Sequence, residues 1–405
     1  MDIDAARAQA RDIFLAGVAA ADPYAAVKRA LAQAAPQPGA PIIAIGKAAM
    51  RMAEAALSFD TDPTDVLVVT NPENAADLPG ATVFAASHPV PDEVGLRAAE
   101  AVEDLLKRCS AETEVLCLIS GGGSALLPAP AGDLTLADKI AVNELLLASG
   151  AEIDVMNTVR QQLSRLKGGG LLRVAAPAHV RALILSDVVW DDLRAIASGP
   201  TVTPIGTAAE ARNILKSLGL WDRVPTPVRD HLDAQDGVTP VTPDATNQLI
   251  GSNALSVAAM ARTAGPNAIT HHEPLVGDVA DAAARIADIT APGVHLFGGE
   301  TTVILTGDGK GGRNQELALR VATALQGQDD WVYLQGGSDG RDGPTDAAGG
   351  VVDGGTIARI RASGGDAEAL LANNDAYAAL NLAGDLLMIG GTGTNVADLG
   401  VLIRA

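Results

Sequence analysis

Aromatic side chains are almost missing: four Phe, three Trp and three Tyr in 405 residues. So few rings cannot line a base-stacking platform, which argues against single-stranded nucleic acid as a ligand. Basic residues are scarce as well, with 29 Lys and Arg against 49 Asp and Glu and a formal charge of −20. Such a surface repels nucleic acid and anionic membrane, so any phosphate site must be local. The two cysteines, Cys109 and Cys117, offer neither zinc spacing nor a disulfide framework, as expected of a reducing compartment. No apolar run reaches the length of a membrane span, and the opening MDIDAARAQARDIF is charged and helical in pattern rather than a signal sequence. The expectation is a cytoplasmic protein with no membrane or nucleic-acid partner.

What the chain does have is Ala, Val, Leu and Ile in short runs between glycine loops, with 48% of residues hydrophobic. At this length a single core is too small, and two domains are expected. The alternation of apolar runs and helical patterns predicts an α/β protein. Residues 1–240 read as a doubly wound, mostly parallel Rossmann-like domain, and 241–405 as a smaller domain with a mixed sheet. Pro225, Pro227, Pro240 and Pro243 mark the stretch from 201 to 245 as the expected linker.

The stretch GGETTVILTGDGKGGRNQELAL, 298–319, carries the strongest chemical signal. A β-branched run from Thr301 to Thr306 predicts a strand, the glycines a loop, and Asn314 to Leu319 a helix with Arg313 at its start. Backbone amides and a helix dipole at such a turn suit an anion, most plausibly phosphate. Gly309, Gly311, Gly312 and Asn314 are the candidate contacts. A second strand runs into Ser120, Gly121, Gly122, Gly123 and Ser124, and a third glycine loop holds Thr392, Thr394 and Asn395.

Charged residues gather at predicted strand ends. Lys47 follows the apolar run 41–45, and Asp187 ends the run 180–187; open parallel sheets bind ligands at that edge. His88 sits among prolines after the run 82–86. On the helix expected near 152–167, Asn157, Arg160, Ser164 and Lys167 form a polar stripe opposite Met156, Val159, Leu163 and Leu166. Asp339, Asp342 and Asp346 lie among glycines in a loop that either holds a cation or simply turns, and Glu300 joins Asp339 and Asp342 as a candidate cation ligand. Three glycine loops and local cations in an acidic chain argue for a polyphosphate substrate and phosphoryl transfer. Neither a Walker A sequence nor the protein-kinase set of motifs is present.

The motifs SGGGSALL, NTVRQQLSRLKGG, SDVVWDDLRAIASGPT, GGETTVILTGDGKGGRNQEL, GSDGRDGPTDAAG and GTGTNVADL, in this order over nearly the whole chain, resemble the class II glycerate 2-kinases, also called the MOFRL family. The resemblance implies ATP- and Mg²⁺-dependent phosphorylation of the 2-hydroxyl of D-glycerate in a cleft between two α/β domains. It places Lys47, Asp187 and Arg313 at the catalytic positions. The glycine loops would hold the nucleotide, and His88, Asn157, Arg160 and Lys167 the acceptor. A monomer or a homodimer is expected. The chain departs from the family pattern at Asn71, Glu73, Asn74, Val155, Gln162, Trp190 and Gly391, so the acceptor is less firmly specified than the reaction. The rival reading is a hydroxypyruvate reductase using NAD(P)H, suggested by the GxGxxG of Gly307, Gly309 and Gly312. That motif leaves too little chain for a dinucleotide fold and has no acidic residue about 20 positions on.

Overall fold

The computed structural model describes residues 1–237 and 241–405, which form two compact units. One, here the parallel unit, comprises Pro23–Ser186 and Trp190–Ile250; the other, the mixed unit, comprises Met1–Asp22, Asp187–Val189 and Gly251–Ala405. The division differs from the expected break after residue 240 in being discontinuous, and Pro240 itself lies outside the described residues.

The parallel unit is built on six strands: β1 (Ile42–Ile45), β2 (Val66–Thr70), β3 (Thr82–Ala85), β4 (Glu114–Ile119), β5 (His179–Leu185) and β6 (Ala245–Gly251). Their order is β3-β2-β1-β4-β5-β6, and β1 through β5 pair in parallel. Strands covered on both faces read as unbroken apolar runs, and β1 and β2 are buried at every position. The helix Glu93–Lys107 starts where Asp92 accepts the Gly95 amide at 2.9 Å, and it buries Ala98, Ala99, Val102, Leu105 and Leu106.

The stretch expected to be a linker is instead part of this unit. Helices Ala208–Ser217 and Thr226–Ala234 bury Ala208, Ala211, Leu215, Val228 and Leu232 against Leu134, Val142, Met156, Val159 and Leu163. Pro225 and Pro227 lie at the start of the second helix, where a missing amide costs nothing, so they begin it rather than break it.

The mixed unit contains β7 (Ile269–Thr270), β8 (Leu275–Asp278), β9 (Gly293–Thr302), β10 (Trp331–Gly337), β11 (Gly349–Asp353), β12 (Leu386–Leu387) and β13 (Asp398–Arg404). Seven-stranded order β12-β11-β10-β13-β9-β7 as traced, with β8 pairing β9 off that path, gives a sheet no narrower than the parallel one. Strands β9 to β13 pair antiparallel, whereas β7 and β8 run parallel to β9. The strand expected from Thr301 to Thr306 is instead the end of one longer strand, β9. It ends at Thr302, the last residue with a partner on β8, and Ile304 and Leu305 beyond it are exposed.

Helix Ile3–Ala20 belongs here because its apolar face completes this core: Ile13 and Phe14 pack with Val332, Leu334, Leu399 and Val401. Gly17 marks the closest approach, since a Cβ there would lie 2.7 Å from Met260 Cγ and 3.0 Å from Leu399 Cδ1. Among the described residues no helix is long and apolar enough to cross a membrane.

Candidate active site

In the parallel unit the chain order reverses between β1 and β4, and the crevice beyond their carboxyl ends is where such sheets take ligands. Two turns meet there. The Ser120 amide donates to Ile45 O at 2.8 Å, the Lys47 amide to Gly121 O at 2.9 Å, and the Ala48 amide to Ser120 Oγ at 3.1 Å. Only glycine fits at position 46: its φ is +122°, and a Cβ would lie 2.2 Å from Ser120 Oγ. Gly122, at φ +84°, lets the loop lie close to Lys47 and His88, because a Cβ there would be 3.1 Å from Lys47 Cγ and 3.3 Å from the His88 ring.

The amides of Gly121, Gly122, Gly123 and Ser124 donate to no group among the described residues. Consecutive unpaired amides at a strand end form an anion-binding concavity, and exposed Lys47 adds a positive charge beside it. His88 is held below its usual pKa, first by burial and then by the Lys47 charge, so its ring is neutral at pH 7. Next to this loop, Lys167 Nζ donates to Ser124 O at 2.7 Å and Ser124 Oγ at 2.9 Å. Ser198 Oγ lies 2.8 Å from Ser124 Oγ and donates to Asn157 Oδ1 at 3.3 Å. Helix Ile153–Gln162 stops short of the expected 167, so Ser164 and Lys167 extend its polar stripe from a turn. Arg160 donates to Asn143, and Lys139 Nζ donates to Leu163 O at 2.9 Å. Lys139 was not singled out in the sequence; it lies on another helix, and no local pattern links it to Arg160.

The mixed unit holds the other cluster. Arg313 opens helix Arg313–Ala324 and is gripped in a planar fork, Nε to Asp398 Oδ2 at 2.6 Å and Nη2 to Asp398 Oδ1 at 3.0 Å, with Glu300 Oε1 3.1 Å from Nη1. Asp398 was also missed: it reads as the first residue of a buried strand, 2% exposed. Burial raises its pKa, against the lowering effect of the Arg313 hydrogen bond and charge. Burial opposes the charge on Arg313, but Asp398, then Glu300 and Asp342, raise its pKa overall, so it stays a cation. The Glu300 carboxyl is raised by burial, an effect that Arg313 offsets and that Asp398, Asp187 and Asp339 reinforce. Asp187, expected to end a strand, follows β5 by two residues and belongs to this same unit.

Several expected phosphate contacts are otherwise engaged. The Gly309 amide donates to Asn373 O at 2.9 Å, the Thr306 and Gly307 amides to Asn374 Oδ1 at 2.7 and 2.9 Å, and the Lys310 amide to Asp375 Oδ1 at 3.1 Å. From Thr306 to Gly312 the amides of Gly311 and Gly312 are the ones with no partner among the described residues. Asn314 is buried and occupied at both ends, taking a bond from Gln335 Nε2 at 2.8 Å and giving one to Asp398 Oδ1 at 2.9 Å. It orients the carboxylates behind Arg313. Thr392 Oγ1 donates to Ser338 O at 2.6 Å, Thr394 Oγ1 to Ala21 O at 2.7 Å, and Asn395 Oδ1 accepts the Ala397 amide at 3.0 Å, so these three side chains fasten their own loop.

Asp342 caps the helix, accepting the Asn314 and Gln315 amides at 3.1 and 2.8 Å, and burial pushes its carboxyl up to about 6. Asp339 accepts the Arg341 amide at 3.0 Å. Among the described residues no three His, Cys, Asp or Glu side chains converge as a ready-made metal cage. The local charge still fits a divalent cation at Glu300, whose side chain is 44% exposed and whose carboxyl feels Asp398 and Asp339 as well as the offsetting Arg313.

A doubly wound sheet with open amides beside a lysine, together with a guanidinium fixed over acidic residues, defines a phosphoryl-handling α/β enzyme. Residues 9–233 match a domain of unknown function, DUF4147, and residues 293–398 match the MOFRL family. A glycerate 2-kinase from Pyrococcus horikoshii is 40% identical over 383 residues, covering 89% of this chain and 86% of its own. A relative from Agrobacterium vitis, named provisionally as a hydroxypyruvate reductase, is 39% identical over 418 residues, covering 98% and 94%. The crystal structure of a glycerate kinase from Thermotoga maritima superposes with a TM-score of 0.93 at 35% identity, covering 99% of this chain and all of that one. The chain belongs to the class II glycerate 2-kinase family.

Proposed function

We propose that this protein transfers the γ-phosphoryl group of ATP to the 2-hydroxyl of D-glycerate. The observation that carries the reading is the run of unpaired amides from Gly121 to Ser124 beside Lys47. Phosphoryl transfer asks a protein mainly for position and charge. The open amides hold nucleotide phosphates, while Lys47 and Arg313 neutralise the transferring oxygens. Asp187 accepts or orients the acceptor's hydroxyl proton, and Asn157, Arg160 and Lys167 hold its carboxylate, with His88 alongside. Mg²⁺ supplies charge neutralisation on the phosphates when bound, and Glu300 and Asp339 are the residues suited to it. The cytoplasm is the compartment that fits two free cysteines.

A reductase is disfavoured because the amides of Gly307 and Gly309, two glycines of the GxGxxG, are engaged by Asn374 and Asn373. With ATP, Mg²⁺ and D-glycerate the purified protein should release ADP, and omission of the metal or the acid should stop it. NADH oxidation with hydroxypyruvate in the absence of ATP, with no ADP release, would overturn the assignment.

A further inference from the structure

Three cations of the parallel unit have no acid to balance them among the described residues. Lys139, Arg160 and Lys167 line one cavity of about 50 Å³, walled by Pro89, Pro91, Ser124 and Pro128. Their hydrogen-bond acceptors are all neutral: Leu163 O for Lys139, Asn143 Oδ1 for Arg160, and Ser124 O and Oγ for Lys167. Among the described residues none of the three forms an ion pair, and no carboxylate lines the cavity. Lys167 is only 6% exposed. Cations withdrawn from water without a counter-charge are costly, and in a chain of net charge −20 acids were available to pair them.

We infer that Lys139, Arg160 and Lys167 form a carboxylate-reading pocket, with Lys139 as a further specificity-determining residue that holds the carboxylate of the 2-hydroxy acid. The inference rests on the proposed kinase reading for the identity of the acid, and not for the presence of an anion site. The lining offers three cationic donors that converge on one small space, the arrangement a carboxylate requires.

The same crowding makes the pocket sensitive to pH. Burial, then Arg160 and Arg165, hold the Lys139 ammonium down to about 7, and burial followed by Lys139 and Arg160 holds Lys167 well below its ordinary value. Of the other charged or titratable groups nearby, His88 is held below its usual pKa by burial and by Lys47, and three more are engaged elsewhere. Arg165 pairs with Glu103 at 2.7 Å, Asp138 caps its own helix through Thr135, and His231 lies 2.9 Å from Gln162 O. A carboxylate entering the pocket favours the charged form of the lysines, so binding takes up protons near neutrality and weakens as pH rises through about 7.

The test is calorimetric titration of the full chain with D-glycerate, without nucleotide, at about pH 6 and about pH 8.5. The parent should bind about tenfold more weakly at the higher pH, the scale of one lost charge-assisted contact. Lys139→Met should bind about tenfold more weakly at the lower pH and show a smaller pH slope, the remainder belonging to Lys167. Its melting temperature should not fall, since an ammonium with no counter-charge has been replaced by an apolar side chain of similar length. Lys139→Arg, charged at both pH values, should restore binding with the same reduced slope. Equal affinity and an equal slope in parent and Lys139→Met would overturn the inference. In the ADP-release assay Lys139→Met should raise KM for D-glycerate and spare kcat. If the parent releases no ADP but binds D-glycerate with the Lys139-dependent slope, the kinase reading fails and the pocket stands; turnover with an unchanged KM in Lys139→Met has the opposite meaning.

Discussion

Arg313→Ala should lower kcat by about 10² or more while KM for ATP changes little, because a donor that meets charge developing on the phosphoryl group acts on the transition state more than on bound ATP. The local geometry supports that division of labour. Asp398 holds Nε and Nη2 in a bidentate grip, while Nη1 is turned toward half-exposed Glu300 and so toward solvent. Lysine should rescue only in part, since it keeps the charge and loses the fork that Asp398 grips. The variant also leaves buried Asp398 without its cation. The Asp398 carboxyl is already raised by burial, and without Arg313 it rises further. An acid with a raised folded pKa binds a proton that the unfolded chain has released, so stability falls as pH rises from the unfolded carboxylate range through the folded pKa. The melting temperature of Arg313→Ala should therefore drop more at pH 8 than at pH 5, roughly the two sides of that titration. Asp398→Asn should recover part of it. In the kinetic cycle the two changes should be non-additive, because Asp398 works through Arg313. Active-site-corrected kinetics beside a thermal melt decide the matter. A kcat for Arg313→Ala within a few-fold of the parent would make Arg313 a structural residue.

The parts of this molecule that could be read in advance are those whose information is local. Strands β1, β2 and β4 announce themselves as buried apolar runs, and glycines at 46 and 122 mark turns that no side chain could occupy. From these the doubly wound sheet and the ligand edge near Lys47 follow. What was misread depends on partners far along the chain. The glycine loop at 306–310 resembles an open phosphate cradle until Asn373, Asn374 and Asp375, more than sixty residues later, take up its amides. Periodicity carries no sign of that. The same limit explains β9, whose end is set by β8, and the N-terminal helix, whose apolar face is completed by Met260 and Leu399. Prolines between 225 and 243 suggested a linker, yet position within a helix decides whether proline breaks it, and Pro225 and Pro227 stand at a helix start. The family motifs recovered the reaction from sequence, whereas Lys139 and Asp398 required coordinates, because each matters through a neighbour on another element.

Asp187→Asn is expected to produce the largest loss of all, a fall in turnover of about 10³, within the range assigned to a positioned general base, with ATP affinity within a few-fold of the parent. The side chain lies just past the carboxyl end of β5 and joins the unit that carries Arg313, where its charge helps to raise the Glu300 carboxyl. Two roles are compatible with that position: service to the acceptor's hydroxyl, or a share in holding the divalent cation. They part on the dependence of turnover on Mg²⁺. If Asp187 serves the acceptor, the residual activity of the asparagine variant should saturate at the parent's Mg²⁺ concentration, and D-glycerate should still bind through the cationic pocket of the other unit. If it is a metal ligand, the Mg²⁺ requirement should rise about tenfold or more, the usual cost of weakening a coordination site. Loss of the negative neighbour should meanwhile let Glu300 ionise more readily, an effect visible as a downward shift of its carboxyl resonance titration by NMR. Loss of ATP binding with D-glycerate binding intact would remove Asp187 from the acceptor side of the reaction altogether.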